Sequence, residues 1–496
     1  MRVVLAGGGS AGHIEPALAL ADALREADGS ISVTCLGTKR GLETRLVPLR
    51  GYELQLIPAV PLPRSVSADV LAMPGRLAGA VHSAGQILER AGADVVVGFG
   101  GYVSAPAYLA AKRHHVPIVV HEANPSPGFA NRLGAMLSPH VYTGHPDTKL
   151  RNAQFIGLPI RRTIADLDRF KLGDQARAHF GLRPDLPVLL VFGGSQGAVA
   201  LNRALSGAVG PILNAGVQVL HVTGPKNAND IQVPRGQVPY VAVPYVDQMD
   251  LAYAAADFAL CRAGAMTCAE LTAVGLPAAY VPLPHGNGEQ RLNAQPIVAK
   301  GGGMMVDDAE LTAQWIVASL LPVLTNIDHV AAMSEAAASL GHGDADRALA
   351  KAVIDVVAME QAANAAEQAA RNAPPEGPDP LDEPVTPGQS FDAFARPAPG
   401  GHPTQQYPQS QYPQSQYPPQ SEYPPQSQYP QSQYPPQSQY PQQQQYPQQQ
   451  QYPQSAGQYY PGAGQPQPSQ YPPAGQYPQG GQPQGGQAQG GGRHRR

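Results

Sequence analysis

The chain has 496 residues, a formal net charge of −4 and three cysteines. That balance, with no Lys/Arg run in the foldable part, excludes the electrostatic footprint of a nucleic-acid binder. No apolar run reaches the roughly 18 residues of a membrane span. Cys35, Cys261 and Cys268 lack metal-ligand spacing, which fits a reducing cytoplasm.

Composition divides the chain. From Gly401 to Arg496 there is no Leu, Ile, Val, Phe or Met, Glu422 is the only acidic residue, and 13 of the 21 tyrosines fall there. Such a stretch cannot bury a core. Folding is therefore expected for residues 1–370, as two domains, with 371–496 a disordered Pro/Gln/Tyr-rich tail.

Arg2 to Ala6 reads as a buried strand, followed by the glycine turn Gly7 to Gly12 and a helix from Pro16 to Arg25. The apolar run breaks at glycine, so this is a first strand and not a signal peptide. Ile31 to Leu36 is the second strand. Pro58 to Arg76 reads as a loop, Val81 to Arg90 as an amphipathic helix and Asp94 to Val97 as a strand running into Gly98-Phe-Gly-Gly-Tyr102. Val116 to Val120 is a strand ending at His121-Glu122-Ala123-Asn124. Strands alternating with helices at this spacing predict a parallel sheet covered on both faces.

Phe155 to Thr163, containing GLPIRRT, is the expected junction, giving domains of 1–160 and 161–370. A second alternation begins at Val188 with VLLVFGGSQGA. Val217 to Thr223, Tyr240 to Pro244 and Phe258 to Cys261 are further strands. The small turn Ala263-Gly264-Ala265 leads into a helix, Ala278 to Leu283 is a strand, and a polar loop holds Glu289, Gln290 and Asn293. The fold class is α/β, with two doubly wound Rossmann-like domains facing a cleft, and such sheets bind ligands at the carboxyl ends of their strands. In the tail, twelve Tyr-Pro pairs predict polyproline II and coil, either solvated or docking to a partner through repeated aromatic contacts.

Several side chains suit chemistry on a nucleotide. A helix N-terminus after Gly264 favours phosphate, and Glu270 can accept hydrogen bonds from two ribose hydroxyls. Gly7 to Gly12 lacks the acidic residue after the second strand that a dinucleotide fold needs, so a nicotinamide oxidoreductase is disfavoured. His13 beside that loop can donate a hydrogen bond, take a proton or simply cap the helix. Gly100-Gly101-Tyr102 forms either a second anion nest or a tight turn. Glu122 can act as a general base, orient His13 or hold structure, and Asn124 can hold a hydroxyl. Ser195 and Arg161 can meet one anion, although Arg161 also suits an interdomain ion pair. No metal-nucleotide carboxylate pair follows a strand, so a reaction without metal or cofactor is expected.

Taken together, GGGSAGHIEPALALA, GFGGYVSAPAYLAA, HEANPSPGFANR, GLPIR, FGGSQGA and RAGAMTCAEL…GLPAAYVPLPH…EQRLNA resemble the MurG family in content and order over about residues 1–365. The resemblance implies a GT-B fold and an inverting transfer of GlcNAc from UDP-GlcNAc to the C4 hydroxyl of MurNAc in lipid I, giving lipid II. It implies an acceptor and membrane-side domain over 1–160 and a UDP-GlcNAc-binding domain over 161–370, the last helices packing back on the first. Ser10, Ala11, Gly12 and Asn124 are implied to contact the donor from the N-terminal side. Arg161, Ser195, Gln290 and Ala265, Met266, Thr267 through Glu270 are implied to hold it, with Val246 on the uracil. His13 and Glu122 are the candidate bases, and Gly100, Gly101 and Tyr102 would receive the acceptor diphosphate. Departures from the pattern are Ser10, Ala11, Ala123, Leu158 and Glu289. The polyprenyl acceptor further implies a peripheral position on the cytoplasmic face of the membrane, the apolar and basic Val60 to Arg76 resting on the inner leaflet. Cell-wall or division proteins are the partners suggested for the tail. The rival readings are another GT-B lipid transferase, such as one using diacylglycerol, and an inert core that only presents the tail.

Overall fold

The computed structural model describes residues 1–372 apart from 61–67, 195, 228–230, 232, 234–237 and 285–287, and gives no side chain for 68–72. Continuous Val/Leu/Ile/Ala runs form strands buried on both faces, as all-parallel sheets require. In the first sheet, β1 (Arg2–Gly7), β2 (Ser32–Gly37), β3 (Glu53–Leu56), β4 (Val95–Gly100), β5 (Ile118–Glu122), β6 (His140–Thr143) and β7 (Ala153–Phe155) lie in the order β3-β2-β1-β4-β5-β6-β7. In the second, β8 (Val188–Phe192), β9 (Gln218–Val222), β10 (Tyr240–Val243), β11 (Phe258–Cys261), β12 (Ala278–Tyr280) and β13 (Gly303–Met305) follow β10-β9-β8-β11-β12-β13. Every neighbouring pair is parallel.

Both strand orders reverse at one point: between β1 and β4 in the first sheet, and between β8 and β11 in the second. Ligand crevices open at such switch points. The glycine and alanine turns singled out in the sequence follow these four strands.

The helices over the first sheet are α1 (Ala11–Ala27), α2 (Glu43–Leu49), α3 (Ala68–Ala91), α4 (Ser104–Arg113) and α5 (Phe129–Leu137). Those of the second half are α6 (Arg162–Ala165), α7 (Arg169–Phe180), α8 (Val199–Asn214), α9 (Met249–Ala255), α10 (Ala265–Ala273) and α11 (Glu289–Ala299). They are followed by α12 (Ala313–Trp315), a π turn, α13 (Leu321–Leu324), α14 (Ile327–Ala338) and α15 (Ala345–Asn372). Leu349, Val353, Val356 and Val357 of α15 are buried with Val3, Leu5, Ile14 and Leu18, so the last helix closes the core of the first sheet. Among the described residues no single helix is long and apolar enough to cross a membrane.

Two local expectations are corrected. The stretch expected as loop up to Arg76 is helical from Ala68, with Pro74 inside α3. Pro74 removes one N–H and crowds one carbonyl, but burial of Ala80, Ala84, Ile87 and Leu88 holds the helix together. Leu62, Arg64 and Val66 lie outside the described residues, as does the tail. The polar loop at Glu289, Gln290 and Asn293 is instead the first turns of α11, entered through Gly288 at φ +77°.

Candidate active site

The first switch point is built by two touching turns. Gly101 has φ +78°, and a Cβ there would lie 2.3 Å from the Gly8 carbonyl oxygen, so only glycine lets the turns meet. A carboxylate fixes the first turn from behind. Glu43, 0% exposed, accepts the Gly9 N–H (3.0 Å), the Thr38 N–H (2.7 Å) and the Thr38 hydroxyl (3.0 Å). The second turn is fixed by Ser104, whose hydroxyl accepts the Gly100 N–H (3.0 Å) and donates to the Ala6 carbonyl (2.6 Å). These contacts narrow the expected anion nest, because the N–H groups of Gly9 and Gly100 are already engaged.

His13 stands between the turns. Its Nδ1 lies 2.9 Å from Ser10 Oγ, and its ring lies against Gly100, where a Cβ would come within 3.2 Å of Cδ2. Burial lowers its pKa, while Glu122, the Gly8 backbone and Glu43 pull it back up. The outcome is an imidazole that stays neutral at neutral pH, with two carboxylates placed to stabilise its protonated form.

Glu122 ends β5 and is 4% exposed. Its oxygens accept the N–H groups of Asn124 (3.0 Å) and Gly128 (3.0 Å) and the Asn131 amide (3.0 Å). Asn131 in turn donates to the His121 carbonyl and accepts the Tyr108 hydroxyl. This carboxylate anchors its loop through several donors. A cavity of about 640 Å³ opens here, its lining including Ser10, His13, Gly101, Tyr102, Glu122 and Asn124. Met73, Leu77, Leu109, Phe129 and Leu133 supply apolar lining, and Glu289 comes from the second half.

At the second switch point α10 begins at Ala265, with Gly264 as its extended N-cap. Met266 and Thr267 stand half-buried in its first turn. Glu270, one turn in, is buried, accepts the Tyr253 hydroxyl at 2.7 Å and lies 3.7 Å from Arg161 Nη2. Burial raises its carboxyl above the ordinary range, against the opposing pull of Arg161 and Tyr253. Gln290 accepts the Leu283 N–H (3.0 Å), tying α11 to the end of the β12 segment. Val246 packs against the core of the second sheet. Ser195 lies outside the described residues. Its neighbours Gly194 (φ +85°) and Gly197 (φ +73°) form a turn suited to glycine.

Side chains of the two halves also meet around the site. The Asn293 amide donates to Asn124 Oδ1 (3.5 Å) as well as to the Ala263 carbonyl (3.2 Å). Arg161 Nε lies 3.8 Å from Glu15 of α1. Arg45 lies 3.5 Å from Asp247. Glu43, Asn131, Tyr253 and Glu15 were not picked out by sequence reasoning, since their partners are distant backbone or side-chain groups. Asn293 was noted only as part of a polar stretch.

Comparison with known proteins follows the same division. The Glycosyltransferase family 28 N-terminal domain model matches residues 3–143 and the C-terminal domain model matches residues 188–349. A Thermobifida fusca protein is 63% identical over 362 residues, covering 73% of this chain and 96% of its own length. A Streptomyces avermitilis protein is 60% identical over 359 residues, covering 72% of this chain and 99% of its own. Both are named UDP-N-acetylglucosamine–N-acetylmuramyl-(pentapeptide) pyrophosphoryl-undecaprenol N-acetylglucosamine transferase. The crystal structure of Acinetobacter baumannii MurG matches with a TM-score of 0.58 at 27% identity, covering 71% of this chain and 98% of that one. A UDP-GlcNAc 2-epimerase from Neisseria meningitidis, at 16% identity and a TM-score of 0.52 over 72% of this chain and all of its own, shares the fold.

Proposed function

Because this chain belongs to the MurG family of glycosyltransferases, we propose that its paired switch points carry out the family reaction with His13 as the general base. The chain is a UDP-GlcNAc-dependent transferase that moves GlcNAc to the C4 hydroxyl of MurNAc in undecaprenyl-diphosphate-linked lipid I, giving lipid II.

In this reading residues 1–160 present the acceptor and 161–370 the donor. The C4 hydroxyl gives its proton to the imidazole as its oxygen attacks the sugar C1 from the face opposite UDP. The bond from C1 to the UDP oxygen breaks through an oxocarbenium-like transition state, and its electrons pass to the diphosphate. The N-terminus of α10 and Arg161 meet that charge where it develops. Glu270 takes the ribose hydroxyls, Val246 packs on the uracil, and Gln290, Asn124, Ala265 to Thr267 and Ser10 to Gly12 hold the sugar and phosphates. Ser195 is assigned to the phosphates on its sequence alone. Gly101 and Tyr102 receive the acceptor diphosphate, on a turn whose Gly100 N–H is held by Ser104.

The observation that carries this assignment is the neutral His13 ring beside the cavity, held by Ser10 and flanked by Glu122 and Glu43. Glu122, with its oxygens engaged by neighbouring amides, orients and charges the site instead of taking the proton. His13→Gln should lower kcat by about 10²–10⁴-fold with donor binding retained. In the wild type the acid limb of the kcat/KM profile should fall below the ordinary imidazole pKa, because burial lowers that of His13. Persistence of that limb in His13→Gln would assign the base to another group.

We place the apolar residues beside the cavity against the inner leaflet, which makes the enzyme peripheral on the cytoplasmic side. Support comes from Met73 and Leu77 of α3 and from Phe129 and Met136 of α5, the latter two 62% and 74% exposed. The Tyr-Pro tail is proposed to serve contacts with cell-wall or division proteins, and residues 1–372 should retain transfer activity without it.

A further inference from the structure

Arg161 occupies an unusual electrostatic position. Its Nε lies 3.8 Å from Glu15 Oε2 and its Nη2 lies 3.7 Å from Glu270 Oε1. Both separations are too long for hydrogen bonds, and Arg161 Nε and Glu15 Oε2 are buried with no hydrogen-bond partner. Each carboxylate also has a neighbour on its other side. Glu270 accepts the Tyr253 hydroxyl at 2.7 Å. Glu15 lies 3.9 Å from Arg50, which itself bonds Asp22 at 2.9 Å. Asp22 also accepts the Tyr52 hydroxyl at 2.6 Å. Signs alternate along the path Asp22, Arg50, Glu15, Arg161 and Glu270, which runs from the first half into the donor pocket of the second.

A guanidinium neutralised by two carboxylates yet bonded tightly to neither keeps donors in reserve for a diphosphate. We infer that Glu15 is a positioning residue for the donor site: through Arg161, it centres that guanidinium and keeps it from closing onto Glu270. This rests on the reading of Arg161 and Glu270 as donor-binding groups. Without the Glu15 charge, Arg161 faces one carboxylate in place of two and moves into a charge-assisted pair with Glu270. That pair occupies the oxygens offered to the ribose and draws the guanidinium away from the phosphates. Arg50 and Arg161 would also lose the anion between them.

The test is calorimetric titration of UDP into the full chain and its variants Glu15→Gln, Glu15→Asp, Arg161→Gln and the double variant Glu15→Gln/Arg161→Gln. Glu15→Gln should weaken UDP binding about five-fold and Glu15→Asp less than about two-fold, as coupling between contacting charges allows. The double variant should bind no more weakly than Arg161→Gln alone. In turnover, Glu15→Gln should raise the KM for UDP-GlcNAc and leave that for a soluble lipid I analogue unchanged. Wild-type UDP affinity in Glu15→Gln would overturn the inference while leaving the donor site intact. So would a five-fold loss that persists undiminished in the Arg161→Gln background, because Glu15 would then act elsewhere. If Arg161→Gln itself binds UDP normally, the donor-site reading fails, and the inference with it.

Discussion

Glu43 illustrates how a single carboxylate can set a loop that it is remote from in sequence. It holds Gly9 from 34 positions away and Thr38 from five, filling space that the missing Cβ atoms of Gly37 and Gly41 leave open. Glu43→Gln keeps the volume but turns an amide NH₂ toward a backbone N–H, because one oxygen cannot serve both sites. A buried donor facing a donor should cost about 1–3 kcal/mol, seen as a lower melting temperature. The acceptor KM should rise, since the Gly9 turn lines the acceptor cavity. An unchanged melt would mean that Gly9 and Thr38 find other partners. The role of Glu43 depends on the Gly9 turn 34 positions away, which no local spacing marks in the sequence. His13 and Glu270 were legible because each stands beside a glycine turn or one turn into a helix, where local spacing carries the signal, and Arg161 because its guanidinium suits phosphate geometry. Glu15 carried no such mark: at i+2 from His13 it reads as any acidic residue on an exposed helix face.

At the scale of elements, apolar strands were readable, including the edge strand β10 expected at Tyr240 to Pro244, whereas β3, β6, β7 and β13 were not. β1, β4, β8 and β11 announce themselves as apolar runs entering small-residue turns. The edge strands β3 and β7 and the three-residue β13 lack that pattern and are defined by pairing. α3 was partly hidden by Pro74 and Gly75, which local propensity scores as breakers, whereas its packing against α4 and the first sheet overrides them. α5 presents a different problem, since it exposes two large apolar residues. Phe129 and Met136 lie seven residues apart, on one helix face, beside the cavity to which Phe129 also contributes. If this face meets lipid, Phe129→Asp/Met136→Asp should cut sedimentation with anionic vesicles at least several-fold, each charge being costly to bring near hydrocarbon. Turnover of a water-soluble acceptor analogue should be spared. Equal loss on both substrates would instead make the two residues part of the acceptor site.

At the scale of the whole molecule, two deeply buried neutral histidines among the described residues, one in each half, tie global stability to pH. His121, at the end of β5, donates from Nε2 to the Gly157 carbonyl at 2.9 Å, leaving a buried Nδ1 with no partner. His221, in β9, has Nδ1 2.9 Å from the Tyr240 hydroxyl and Nε2 3.0 Å from Asn202 Oδ1. Burial pushes both down to about 4 from the ordinary 6.5. Above pH 6.5 neither the folded nor the unfolded chain is protonated at these sites, so their contribution to stability is complete. Between about 6.5 and 4 the unfolded chain binds protons that the folded chain refuses, and stability falls by roughly 1.4 kcal/mol per pH unit for each histidine. Below about 4 both states are protonated and the loss levels off. His13, His140 and His145, also lowered by burial, act in the same direction. Glu270 and Asp346, raised by burial, offset part of the loss by taking up protons in the folded state. The contribution of a single histidine is isolated by difference. Thermal melts between pH 8 and 5 should show a shallower decline for His221→Gln than for the wild type, even though the variant melts lower at pH 8 where the histidine contributes fully. Parallel curves would show that His221 titrates normally in the folded state, and that the second sheet opens to water more readily than its packing around β9 implies.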